Sequence, residues 1–109
     1  ASECIAEQLG NSGFWKFDEG MFANQSKMNA AYFEEAAQSL GANVPKFKSC
    51  VASDKYGSKV DTQSGDAQKN GGQGTPYTII YDKKGQVGVS GALPYETFTS
   101  VIKTFKERQ

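Results

Sequence analysis

Gly74-Thr75-Pro76, placed directly ahead of Tyr77-Thr78-Ile79-Ile80-Tyr81, constrains this chain more than any other stretch. Pro76 fixes its own φ and has no N–H to give to a sheet, so it suits the threshold of a strand rather than its interior. The bond before it is the one kind of peptide bond that turns cis at low cost, about 0.5–1 kcal/mol. The apolar, β-branched run that follows reads as a buried strand over 77–81. Asp82-Lys83-Lys84-Gly85 reads as a tight turn, and Gln86-Val87-Gly88-Val89-Ser90 as the returning strand. Beyond it, Phe98, Val101, Ile102 and Phe105 recur at i, i+3, i+4 and i+7, one stripe of an amphipathic helix. Pro94 suits that helix's start, and Lys103, Lys106 and Arg108 suit its C-terminal end, where cations oppose the dipole.

Upstream of the hairpin the pattern is helical throughout. Ser2 to Leu9 predicts a first helix with Cys4 and Ile5 on its apolar side, ended by Gly10-Asn11-Ser12-Gly13. Phe14, Phe17, Met21 and Phe22, with Trp15 beside them, repeat at helical spacing. A third helix is expected from Ser26 or Lys27 to Leu40, burying Met28, Ala31, Tyr32, Ala36 and Leu40, with Gly41 as its C′ residue. Val44, Phe47, Cys50 and Val51 form another stripe, opened by Pro45. Tyr56 to Lys69 is a more polar helix with Tyr56 and Val60 as its main apolar contacts, and Asn70-Gly71-Gly72-Gln73-Gly74 is the longest flexible loop. The aromatic set Phe14, Trp15, Phe17, Phe22, Tyr32 and Phe33 follows helical stripes and is expected to pack a core.

Bulk properties remove several function classes. The 109 residues carry 12 basic and 12 acidic side chains, so no net charge favours nucleic acid or an anionic membrane. The longest apolar run falls far short of the roughly 20 residues that span a bilayer. Ala1-Ser2-Glu3 lacks the regions of a signal peptide, and the missing initiator Met points to a mature, cleaved or truncated product. The glycine-rich stretch has no Lys-Ser/Thr and precedes a strand, which argues against a phosphate loop. The adjacent pair Glu34-Glu35 does not share a helix face and reads as solvated surface.

The order of landmarks resembles one family. Gly74-Thr75-Pro76, the hairpin, Gly91-Ala92-Leu93-Pro94-Tyr95-Glu96 and a last helix resemble the end of a thioredoxin-like domain. Gly13-Phe14-Trp15, Phe47-Lys48-Ser49-Cys50 and the Lys55-to-Asn70 segment are similar to the helical insertion of DsbA-like thiol–disulfide oxidoreductases. The fold class so implied is α/β, α+β in this chain: a helical insertion over 1–70, then a cis-Pro loop, antiparallel β-hairpin and C-terminal helix over 71–109. The resemblance also implies an extracytoplasmic setting, in the periplasm or cell envelope. Its partners there would be unfolded or cysteine-containing exported proteins. In such a site Thr75 would pair its backbone with an extended substrate peptide. Pro76 would face the catalytic disulfide, with Gly74 completing the substrate-binding loop.

One element of that family is missing. There is no Cys-x-x-Cys and no histidine, so no catalytic residue is assigned in this chain, and no metal site or cofactor either. Exchange chemistry needs a thiolate of lowered pKa and a resolving cysteine. The chain is expected to start within the helical insertion, to be inactive alone, and to leave strand 77–81 with an uncovered edge. A separate segment carrying the missing strand, or a second copy, is expected to pair there. A degenerate thioredoxin-like module that binds peptides or a partner without redox chemistry is the alternative function. Cys4 and Cys50 themselves admit a structural bridge, a reactive or metal-binding pair, or two buried thiols. The resemblance implies the bridge, because the family's exported setting is oxidising.

Overall fold

Helices dominate until residue 69, and a single hairpin and one helix follow. The computed structural model describes residues 1–108. The order is α1 (Ser2–Ala23), a 3₁₀ turn (Gln25–Lys27), α2 (Ala30–Ser39), α3 (Val44–Ala52), α4 (Gly57–Lys69), β1 (Tyr77–Asp82), β2 (Gly85–Ser90) and α5 (Tyr95–Glu107). These residues form two compact units, Ala1–Lys59 and the part from Val60 on. Among the described residues no helix is long and apolar enough to cross a membrane.

In the first unit, α1 is two helical segments meeting at Gly10, whose φ of 72° and ψ of −165° leave the helical region. Only glycine takes such a φ without a Cβ penalty. The expected four-residue break is therefore a one-residue kink, and Asn11 to Gly13 already belong to the next helical segment. Gly13, Phe17 and Met21 then fall at i, i+4 and i+8 and are buried. Trp15 and Phe22 lie seven residues apart on another face and are 57% and 75% exposed. That corrects the expectation that the whole aromatic set packs inside: two residues past Gly13 is about 200° around a helix.

α2 starts later than expected, at Ala30. The Asn29 side chain accepts a hydrogen bond from Tyr32 N–H at 2.8 Å, capping the helix there, and the residues before it form the 3₁₀ turn. Met28 and Ala31 are consequently exposed, and Ala37 is the fully buried residue of α2. Asn43 caps α3 in the same way through Lys46 N–H at 3.0 Å, with Pro45 in the first turn. Gly41 closes α2 as expected, with φ 85° and its N–H on Gln38 O. The core joins Cys4, Ile5, Phe17, Met21, Ala37, Phe47 and Cys50, and the Phe17 ring centroid lies 6.3 Å from Phe33 and 6.1 Å from Phe47.

In the second unit the antiparallel register runs from Tyr77↔Ser90 to Asp82↔Gly85. The turn is thus only Lys83-Lys84, shorter than the four residues expected, because Asp82 Oδ1 accepts from Lys84 N–H at 2.7 Å and Gly85 N–H at 3.0 Å. Alternation puts Thr78, Ile80 and Asp82 on one face with Val87 and Val89, and Tyr77, Ile79 and Tyr81 on the other. Val89 is the one buried apolar residue among the described residues of this unit. Val60, expected as an α4 contact, is 53% exposed, and Ile102 of the α5 stripe is 43% exposed.

Candidate functional site

The loop from Asn70 to Pro76 is shaped from both sides. At its start α4 closes with Gly71 N–H on Gln68 O at 3.1 Å and Gly72 N–H on Ala67 O at 2.9 Å, a double C-terminal closure made possible by φ 95° at Gly71. At its end the Tyr77 hydroxyl donates to Asn70 O at 2.6 Å, so the first residue of β1 reaches back to the last turn of α4. The Tyr77 ring lies across Gly88, the residue opposite Ile79 on the same face of the hairpin. A Cβ at Gly88 would collide with the Tyr77 hydroxyl, and one at Gly71 would stand 2.8 Å from it. At both glycines the Tyr77 side chain occupies the space a Cβ would need.

Thr75 and Pro76 follow, joined by a cis peptide bond. Gly74, Thr75 and Pro76 are all exposed. Pro76 O accepts from Gly91 N–H at 2.9 Å, which ties the loop to the end of β2. The N–H and C=O of Thr75, by contrast, have no hydrogen-bond partner among the described residues. Beside them lies a cleft of about 590 Å³ between Ser64, Ala67 and Gln68 of α4 and the loop residues Gly72 to Thr75. The site therefore offers an unpaired main-chain donor and acceptor at the lip of an uncharged hollow of mixed polar and apolar lining.

The far end of the hairpin is held by charge. Arg108 donates from Nε to Asp82 Oδ2 at 2.9 Å and from a terminal nitrogen to Oδ1 at 2.6 Å, a bidentate pair. The guanidinium also stacks 3.7 Å over Phe105. The Arg108 hydrogen bonds, aided by the Lys84 and Gly85 backbone N–H groups, bring the Asp82 carboxyl down to a pKa of about 2. The same hydrogen bonding raises the Arg108 pKa. This clamp orients the turn and takes no part in the cleft.

Cys4 and Cys50 are bonded to each other in the first unit, with their Cα atoms 5.9 Å apart, and both are buried. Neither offers a thiol, and the bridge implied by the resemblance is the arrangement present. A second cleft, of about 560 Å³, lies over Cys50 among Glu7, Gln8, Lys46, Ser49 and Lys55. Lys55 pairs with Glu7, which raises the Lys55 pKa, and the cysteine there is already bonded, so this hollow offers no thiol. Among the described residues no group of Cys, Asp and Glu is placed to hold a metal ion.

The residues singled out in the sequence, Gly74, Thr75 and Pro76, are thus contiguous in one exposed loop. Sequence reasoning missed Tyr77, Gln68 and Ser64. Only Gly88, a glycine inside a strand pattern, signalled a close approach there. A family model described as a DSBA-like thioredoxin domain matches residues 7–103. None of the curated proteins and none of the solved structures compared matches the chain. The helical segment, the Thr75-Pro76 loop, the hairpin and the last helix fall in order along that match, and the chain belongs to the DSBA-like thioredoxin domain family.

Proposed function

We propose that this chain is the substrate-binding part of an extracytoplasmic thiol–disulfide oxidoreductase that forms or isomerises disulfides in exported proteins. Residues 1–70 serve as the helical insertion and 71–109 as the C-terminal ββα part of the thioredoxin-like domain. The Cys-x-x-Cys that performs exchange comes from outside these 109 residues, on a segment whose strand pairs with the open edge of β1. Gly74, Thr75 and Pro76 hold the extended substrate while its cysteine meets that pair.

The observation that supports this reading is the exposed Thr75, whose main-chain N–H and C=O are unpaired beside the cleft. An extended peptide satisfies both groups at once by adding as a strand. The open β1 edge supports the completing strand, since a two-stranded hairpin alone is marginal in water. That both cysteines are spent on one bridge favours the second reading, a peptide-binding module with no redox chemistry of its own.

The test is an amide-resolved titration of the 109-residue chain with a short extended peptide in which Ser replaces Cys. Gly74, Thr75 and Gly91 resonances are expected to move together; movement confined to the first unit rejects the reading. The coding sequence ahead of Ala1 separates the two functions. A strand, Cys-x-x-Cys and helix there are expected for the oxidoreductase, and their absence leaves the binding module.

A further inference from the structure

We propose that the cleft between α4 and the glycine-rich loop is a side-chain subsite for an uncharged polar residue (Ser, Thr, Asn or Gln) flanking the substrate cysteine, with Gln68 as its specificity-determining residue. This rests on the reading of Thr75 as the edge that holds an extended peptide.

The geometry follows from adjacency. Gly74 and Thr75 line the cleft themselves, so a strand laid along their main chain runs past its mouth. Successive side chains of an extended peptide point to opposite sides, so alternate residues face α4. The volume of about 590 Å³ holds a side chain together with several waters, each of which takes about 30 Å³.

The lining decides the chemistry. Its side-chain polar groups are the Ser64 and Thr75 hydroxyls and the Gln68 and Gln73 amides, and none of the lining residues is charged. A carboxylate or ammonium placed there finds no opposite charge, while an amide or hydroxyl finds both donors and acceptors. Ser64 and Gln68 are four residues apart on α4 and share a face. Gln68 lies in the last turn before Lys69, and its own carbonyl accepts the Gly71 N–H that closes the helix, so its backbone position is set. Its side-chain amide makes no hydrogen bond among the described residues, unlike the Asn70 amide and the Tyr77 hydroxyl nearby. Gln73, on the loop, has no such support.

The wall opposite α4 is also held. Gly72 N–H is bonded to Ala67 O, and the Tyr77 hydroxyl holds Asn70 O, so the loop is tied back to the end of α4 once before Thr75 and once after it. A hollow whose two walls are cross-linked in this way keeps its shape as a ligand arrives.

The experiment uses the 109-residue chain and a set of short peptides with Ser in place of Cys. They are identical except that the residue before or after that Ser is Asn, Leu, Lys or Asp. At one of the two positions the Asn peptide is expected to bind three- to tenfold tighter than the Leu, Lys or Asp peptide, the range that one net hydrogen bond supplies. Gln68→Ala is expected to erase that preference, and Gln68→Glu to transfer it to the Lys peptide. Circular dichroism checks that α4 survives both changes, which fall on an exposed helical position. Equal affinity for all peptides, with Gly74 and Thr75 resonances still shifting, overturns the subsite and leaves the Thr75 reading intact. Peptides that never shift those resonances overturn both.

Discussion

Asp82 shows what one residue does at three levels. It ends β1, accepts the two N–H groups that close the turn, and receives both guanidinium bonds from Arg108. Its carboxyl pKa is lowered from the ordinary 3.8 to about 2, chiefly by Arg108. A depressed folded-state pKa means that the stabilisation is complete above the unfolded value and is lost as pH falls through the folded one. The hairpin is therefore expected to lose part of its stability between about pH 4 and pH 2, while Asp82→Asn is less stable at pH 7 and flatter across that window. Denaturation midpoints of the two proteins at pH 7, 4 and 2 measure this, and parallel curves would contradict the role given to the pair. The motif Asp-Lys-Lys-Gly announces a turn, but the partner twenty-six residues away is invisible in it.

At the scale of elements, caps explain where helices begin and where the sequence reading slipped. The apolar spacing through Met28 and Tyr32 promotes an early start for α2, yet Asn29 satisfies an otherwise orphaned N–H and the helix begins after it. Asn29→Ala is expected to cost about 1 kcal/mol in a urea titration, the usual worth of such a cap. The Gly88 and Tyr77 pair belongs to this scale too, because it joins strand, loop and helix end. Gly88→Ala is expected to push the Tyr77 ring aside and break its bond to Asn70. Hydrogen exchange at Gly71 and Gly72, whose N–H groups are bonded to Gln68 O and Ala67 O, should then quicken by an order of magnitude or more, the equivalent of about 1.4 kcal/mol. Unchanged exchange in a folded variant would show that Tyr77 does not brace the loop.

For the whole molecule, stabilisation is unevenly divided. The first unit has a continuous core around Phe17 and Phe47 and a covalent tie between α1 and α3. A bridge spanning 46 residues removes denatured-state freedom worth about 4 kcal/mol in the chain-entropy description. Reduction is therefore expected to lower the denaturation midpoint of the first unit by a margin consistent with that figure, read by urea titration with and without a thiol reductant. The second unit has Val89 as its one buried apolar side chain among the described residues, while Tyr81, Leu93, Tyr95 and Ile102 stay exposed and one edge of β1 is open. Its thin core matches the proposal that a further strand completes the sheet.

The alternation and punctuation of the chain were enough to read six helical stretches, the first two of which join at the Gly10 kink, a hairpin at 77–90 and the loop that precedes it, because side-chain periodicity and proline and glycine chemistry act over a few residues. The order of those motifs carried the family. Which helix face turned inward at Trp15 and Phe22 was decided by tertiary packing, as were the clasp of Gln8 on the Asn43 backbone, the seat of Tyr77 over Gly88 and the grip of Arg108 on Asp82. Each of these joins residues distant along the chain or chooses between faces of equal local merit. No local pattern encodes such a choice, since its free energy arises only once the elements meet.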